Sequence, residues 1–488
     1  MDINDQLTWL TQSVWFLLPE GWLCMMIVVL VVSSFFKKIH PSMFFGVTLG
    51  SLVALLPLLY IQWPSQPITL FVGSLRSDDY ASFFKTLFAL GALLTLLIDH
   101  RQDRPAEYFI LLMFALLGTF FLVMSMDFVS VTLSLELISI PSYVLATGLT
   151  NTKRQAEAAW KYFIFGSTAT AVMIFGMSYL FGLSGSLQFS SQTFAEQLLQ
   201  QKTPLLLVGG VLALAGFLFK TAAVPFHLWA PDVYEAAPTP VVAFFSVVPK
   251  LAGVAVFTRL VLALNLFGQS QIDWALVISV IALASLLIGT LGALTQTDAK
   301  RMMAYSSIAQ TGFLFAAIAT LSPDGVHMAM YYGAVLMVMN FLTFHVLIQA
   351  ETQVGTTITS FSGWGTRFLL PALGILVGLI SLTGLPPTAG FMAKFFVFSA
   401  LWERFSSTGS TYFAVLFSVG LLATVASLFF YLKIPYYSFL KKPAETVSEQ
   451  KIGVLANLLT VILVIVLLYL FFIPGALMGV VNKVNFVL

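Results

Sequence analysis

The stretch GFLFKTAAVPFHLWAPDVYEAAPTP, residues 216–240, sets a lysine, a Pro-containing run and a histidine into an otherwise apolar helical pattern. A second stretch, ISLTGLPPTAGFMAKFFVF at 380–398, does the same with a Gly-Leu-Pro-Pro turn ahead of a lysine. Pro and Gly free backbone N–H and C=O groups, and in hydrocarbon such groups must line a cavity or be covered by protein. Both stretches therefore read as broken helices. Thr221 to Pro225 and Thr383 to Pro387 share a T-x-x-x-P core, which points to corresponding parts of an internal repeat. The lysines do not superimpose: aligning the threonines sets Lys220 against Leu382, and Lys394 lies beyond the prolines.

The composition around these stretches is that of a chain dissolved in lipid. Hydrophobic residues fill 59% of 488 positions, charged residues only 9%, and the mean hydropathy is +0.95. No soluble core uses that much apolar surface. A net charge of +2 without a Lys/Arg-rich run offers no footprint for nucleic acid. Cys24 is the one cysteine, which excludes internal disulfides, thiolate-held iron-sulfur clusters and C-x-x-C patterns within the chain. His40, His100, His227, His327 and His345 have no metal-ligand spacing, and no nucleotide loop is present. Metal and cofactor sites are not expected in this chain. The opening MDINDQLTWLTQ lacks a basic signal-peptide region, so the first apolar stretch is expected to be retained.

Apolar windows of roughly 20 residues fall near 13–35, 43–63, 80–98, 109–126, 128–149, 157–183, 204–219, 240–262, 274–295, 301–321, 326–349, 369–402, 411–434 and 455–478. The fold class is an all-α polytopic membrane protein of about fourteen transmembrane helices. Alternate loops, counted from the first, hold Lys37, Lys38, Arg101, Arg104, Lys153, Arg154, Lys300, Arg301, Arg367, Lys441, Lys442 and Lys451. The other loops and the tail hold Arg76, Lys202, Arg404 and Lys483, so the first set is read as cytoplasmic with both termini outside. With no loop beyond about 25 residues, function must lie within the helices or in their contacts. Gly46-x-x-x-Gly50 and Gly374-x-x-x-Gly378 are read as close helix packing.

Lys161, Lys220, Lys250, Lys394 and Glu136 cannot be placed in loops. A charge near the bilayer centre costs roughly 2.5 to 3.5 kcal/mol, so these side chains are not expected to face lipid. A long lysine can also snorkel to an interface, the bland reading that suits Lys161, four residues into its helix. Lys220 and Lys394 sit beside helix breaks, and Lys250 follows Pro249 at central depth. Desolvation disfavours a charged lysine while a nearby carboxylate favours it, so a carboxylate that approaches or withdraws would load or unload its proton. Glu136 with Lys220, helped by Lys161, is read as a switchable pair, with Lys250 as a lateral relay and Lys394 serving the second half. His227, at the end of the first break, is a lesser candidate; His345 reads as a hydrogen-bonded filler; Asp298 reads as a helix cap.

The segments LELISIPSYVLATG, AAWKYFIFGS, FLFKTAAVPFHLWAPDVYEAAPTPVVAFFSVVPKLAG, TDAKRMMAYSSIAQTGF and SLTGLPPTAGFMAKFFVF resemble the antiporter-like subunits of respiratory complex I, the proton-translocating NADH:quinone oxidoreductase. The resemblance runs over most of the chain. It implies that Glu136 is the family's fifth-helix glutamate, Lys161 its sixth-helix lysine, and Lys220, Lys250 and Lys394 its seventh-, eighth- and twelfth-helix lysines. It further implies two inverted five-helix repeats, giving segments 1–108 (helices 1–3), 109–265 (helices 4–8), 266–440 (helices 9–13) and 441–488 (helix 14). Lys394 in place of a glutamate, the Pro249-Lys250-Leu251-Ala252 run and the end of the chain soon after the last window resemble the N-type subunits.

The expected partners are other membrane subunits, an M-type antiporter-like subunit and small ones among them, with the lipid bilayer around them. FMN, iron-sulfur clusters and quinone are expected in partner subunits, and the location is the bacterial inner membrane. Two other classes fit the scaffold: a subunit of a multisubunit cation/proton antiporter or membrane-bound hydrogenase, and a membrane scaffold that only anchors redox subunits.

Overall fold

In the computed structural model the described residues are 13–486, apart from 37–39, 65, 100–103, 150–151, 201–202, 266–269 and 443–451. The opening segment 1–12, Lys37, Lys38, His100, Arg101, Lys202 and Lys451 lie outside them. The main helices are α1 (Leu18–Ser34), α2 (Pro41–Ile61), α3 (Asp79–Ile98), α4 (Ala106–Met124), α5 (Phe128–Ala146), α6 (Lys153–Ser184), α7 (Thr203–Ala213), α8 (Ala215–Thr221), α9 (Trp229–Ala236) and α10 (Thr239–Leu264). They continue as α11 (Trp274–Leu294), α12 (Ala299–Ala319), α13 (Pro323–Val354), α14 (Leu369–Thr383), α15 (Ala389–Thr408), α16 (Thr411–Tyr431) and α17 (Val454–Phe472). Every apolar window read from the sequence overlaps one of these helices. Among the described residues eleven helical spans are long and apolar enough to cross a membrane, and Leu18–Ser34 and Leu369–Thr383 are shorter apolar helices. The protein is a helical membrane protein.

Helix starts follow local chemistry. Asp78, Asp127, Asp298 and Ser322 each accept a hydrogen bond from the backbone N–H three residues on, capping α3, α5, α12 and α13. Asp298 thus has the capping role expected of it. The one two-stranded ribbon among the described residues, Ile68–Leu70 against Leu75–Ser77, closes through Phe71, Val72 and Gly73, all at positive φ.

The chain forms two compact units. The first holds residues up to Lys220 with 248–273 and the final residues, and the second holds 221–247 with 274–483. In the first unit α3 packs on α2 and α4, α4 on α5, and α6 on α5 and α7. In the second, α11 packs on α12, and α13 on α12, α14 and α15. Large apolar side chains stay exposed at the periphery, such as Leu422 at 69%, Phe429 at 68% and Leu455 at 81%. Water would not tolerate that surface, whereas lipid does. Gly374 and Gly378 do sit against neighbours, Thr460 and Thr343. Gly46 and Gly50 have nothing within 4 Å of where a Cβ would stand, because α2 is a peripheral helix; that pair does not mark packing within the chain.

Two buried ion pairs tie the first unit together. Lys85 on α3 meets Glu20 on α1 at 2.6 Å. Arg259 on α10, fully buried, donates from Nη2 to both carboxylate oxygens of Asp78 at 2.8 and 2.9 Å. Its guanidinium lies 4.9 Å from the Tyr80 ring centre and 5.9 Å from that of Phe486. Removing one member of such a pair leaves an uncompensated charge in the interior. Asp78→Asn keeps the α3 cap yet strips the charge, so we expect it to destabilise the protein by about 3 kcal/mol, read as a lower melting temperature in detergent. Adding Arg259→Met should recover part of the loss; an unchanged melt in the single variant would show that the pair does not hold this unit.

Candidate functional site

Lys220 is the next-to-last residue of α8 and is 2% exposed. The helix stops there, where Ala222 takes a positive φ of 55°; the Val224–Pro225 peptide bond beyond it is cis. Its Nζ donates at 2.9 Å to the Ser139 hydroxyl, whose own hydrogen goes to the Leu135 carbonyl at 2.6 Å. The Tyr162 ring centre is 5.9 Å from Nζ. Glu136 lies one turn before Ser139 on α5, close enough for its charge to act on Lys220. Its Oε1 accepts from Thr170 on α6 at 3.0 Å. Each of the two side chains is held by a hydroxyl: Ser139 for the lysine, Thr170 for the glutamate.

The close approach of α5 and α6 at this site needs a glycine. A Cβ at Gly166 would stand 1.9 Å from the Tyr143 hydroxyl, and the Tyr143 ring packs edge-on against Tyr162 at 4.8 Å. Lys161, one residue before Tyr162, points the other way. Its side chain is 42% exposed and pairs with Glu157 at 2.9 Å, one turn earlier on α6. The structure therefore brings Glu136 and Lys220 together, with Tyr162 rather than Lys161 beside them.

The second break lies between α14 and α15. Lys394, 4% exposed, donates from Nζ to the Thr383 carbonyl at 2.8 Å, and Nζ is 4.4 Å from the Phe313 ring centre. Gly384 has a φ of +88°, and a Cβ on it would stand 2.7 Å from the lysine Cδ. The residue after Thr383 must therefore be glycine on both counts, conformation and space. A cavity of about 730 Å³ borders Lys394 and follows α15 past Ser399, Trp402, Glu403 and Ser406.

Lys250 is 1% exposed within α10, directly after Pro249, and α10 is buried all round. His227 is half-buried beside the Pro225 backbone. His345 is fully buried on α13, its Nε2 2.9 Å from the Ala456 carbonyl and 2.8 Å from the Gln349 amide.

Sequence reasoning passed over three groups. Lys85, Glu20 and Arg259 fell inside windows read as plain spans and Asp78 just before one; a search for opposite charges in or immediately beside separate apolar windows would have raised both pairs. Lys300 and Arg301 read as loop charges, yet Lys300 is 4% exposed, donating to the Ala237 carbonyl at 2.8 Å. Arg301 Nη1 bridges Asp232 and Glu235 of α9, each at 2.8 Å. These two cations pin the segment that follows the first break.

Residues 125–424, more than half of the chain and the part that carries Glu136, Lys220, Lys250 and Lys394, match the family described as NADH:quinone oxidoreductase/Mrp antiporter, TM. NADH-quinone oxidoreductase subunit N of Anaeromyxobacter sp. (strain Fw109-5) is 38% identical over 420 residues, 81% of this chain and 81% of its own length. NAD(P)H-quinone oxidoreductase subunit 2 of Prochlorococcus marinus subsp. pastoris (strain CCMP1986 / NIES-2087 / MED4) is 38% identical over 393 residues, 79% of this chain and 76% of its own. A chain of respiratory complex I from Thermus thermophilus with bound Aureothin superposes with a TM-score of 0.81 at 28% identity, covering 94% of this chain and 98% of that one. A chain of the Mrp complex from Dietzia sp. DQ12-45-1b reaches the same TM-score at 19% identity, a likeness of fold alone, covering 97% of this chain and 96% of that one. This chain belongs to the NADH:quinone oxidoreductase/Mrp antiporter family of membrane proteins.

Proposed function

We propose that the chain is an N-type proton-translocating membrane subunit of an NADH:quinone oxidoreductase. The observation that carries this reading is the burial of Lys220, Lys250 and Lys394 to between 1% and 4% exposure, two of them held at helix breaks. Such groups are expensive in a membrane and serve as proton carriers when a partner can change their charge state. The names of the relatives, NADH-quinone oxidoreductase subunit N and NAD(P)H-quinone oxidoreductase subunit 2, supply the assembly in which that path would work.

In this reading Glu136 sets the charge of Lys220, which rests on the Ser139 hydroxyl, Lys250 passes the proton laterally, and Lys394 exchanges it through the cavity along α15. Lys161 and His227 stay auxiliary candidates. The redox chemistry belongs to partner subunits that carry FMN, iron-sulfur clusters and quinone, and an M-type antiporter-like subunit and small membrane subunits pack alongside. The architecture comprises fourteen crossings with two inverted repeats, 109–265 and 266–440, between 1–108 and 441–488. Both termini lie on the outer side of a bacterial inner membrane.

Lys220→Ala and Lys394→Ala, each made in the intact complex, should lower protons moved per electron on the order of tenfold or more while NADH oxidation and assembly persist. Inverted membrane vesicles with a pH-sensitive dye read this directly. Lys220→Arg separates titration from charge, because a guanidinium stays protonated; it should assemble normally and still fail to pump. Normal coupling in both alanine variants would leave only the anchoring role. A cation/proton antiporter subunit, by contrast, would co-purify without flavin or iron-sulfur absorption.

A second outcome concerns Glu136. Glu136→Gln keeps an acceptor for the Thr170 hydroxyl but removes the charge that acts on Lys220. The expected result is several-fold weaker pumping with unchanged assembly, and Glu136→Asp should restore most of it.

A further inference from the structure

α12 carries an unusually polar buried face for a helix in this setting: Ser306, Ser307, Gln310 and Thr311 are all 4% exposed or less. Gln310 is its centre. The Gln310 Nε2 donates to the Leu382 carbonyl at 3.1 Å and to the Tyr431 hydroxyl oxygen at 3.1 Å, and Oε1 accepts from the Tyr332 hydroxyl. A backbone carbonyl only accepts, so the amide orientation is settled by chemistry. The Tyr431 hydroxyl also shares a hydrogen bond with the Ser306 hydroxyl.

The end of α14 explains what this amide is for. The last four carbonyls of a helix have no partner within it. Here the Gly384 N–H bonds the Ile380 and Ser381 carbonyls at 3.0 Å, and the Leu385 N–H bonds that of Ile380 at 3.2 Å. The next two carbonyls, Leu382 and Thr383, are taken by side chains: Gln310 holds the first and Lys394 the second. One holder is a neutral amide fixed by two buried tyrosines; the other is the ionisable group of the proposed path.

We propose that Gln310, set by Tyr332 and Tyr431, is a positioning residue for Lys394. It acts by anchoring the Leu382–Thr383 peptide so that the Thr383 carbonyl stays in reach of the lysine. The inference rests on the reading of Lys394 as a proton carrier. Gln310→Met fills nearly the same volume and removes all three hydrogen bonds.

The test is a double-mutant cycle in the intact complex, with protons moved per electron normalised to flavin in the purified assembly. Gln310→Met alone is expected to lower the ratio about fivefold, the scale of one lost net hydrogen bond. On top of Lys394→Ala it should lower it by less than about twofold, because residues acting through one another are not additive. Tyr332→Phe, which deletes one hydroxyl and cannot unfold the break by volume, should lower the ratio to a smaller degree and carries the test if Gln310→Met fails to assemble. Normal pumping per assembled complex in Gln310→Met, or in Tyr332→Phe where it stands in, overturns the inference, as does a full multiplicative loss in the double variant. Normal pumping in Lys394→Ala itself overturns the underlying reading instead, so the two failures are distinguishable.

Discussion

The constraint on which the rest of this structure depends is that a backbone group freed inside hydrocarbon must find a partner within the protein. Each broken helix releases carbonyls and N–H groups where lipid offers nothing in exchange. At the second break the Gly384 and Leu385 N–H groups satisfy two carbonyls, Gln310 a third and Lys394 a fourth. A buried lysine is thus structurally useful before it is functionally useful. Its ammonium offers three donors, and a helix end is one of the few apolar-embedded places where a donor is wanted.

The same logic separates the directly paired charges from those held by neutral groups. Arg259 and Asp78 satisfy each other directly at 2.8 Å, with aromatic rings over the guanidinium. The guanidinium meets both carboxylate oxygens at once, so the pair is a fastening. Glu20 and Lys85 are likewise in direct contact. Glu136 and Lys220 differ, since a neutral hydroxyl stands at each of them. A hydroxyl serves as donor or acceptor with a rotation of its hydrogen, so it can accompany a change of charge on its partner without a rearrangement of the helices.

How far all this could be read from residues alone varies with the kind of signal. Apolar length and the Pro/Gly interruptions made both breaks and every helical window visible, because lipid imposes a one-dimensional rule on the chain. Lys220, Lys250 and Lys394 stood out for the same reason: depth in an apolar run is a sequence quantity. The direction a side chain takes around its helix is less so. Lys161 and Tyr162 are adjacent in sequence, yet only the tyrosine turns toward Lys220, while the lysine pairs with Glu157 on the outer face. Gln310, Tyr332 and Tyr431 were illegible altogether, since each is unremarkable in its own helix and matters only where three helices and a helix end meet.

The two lysines at the breaks are held by unlike means, and the difference bears on how each could be switched. Lys220 depends on a side chain of α5, the helix that also carries Glu136. A small slide of α5 past α8 would therefore change its hydrogen bond and its nearest charge at once. Lys394 instead holds a carbonyl eleven residues back in its own broken helix. Its partner moves only if the break itself moves, and the Leu382 carbonyl beside that partner is clamped by Gln310. The first site depends on where a neighbouring helix stands, whereas the geometry of the second is set within its own broken helix and by the amide that clamps it.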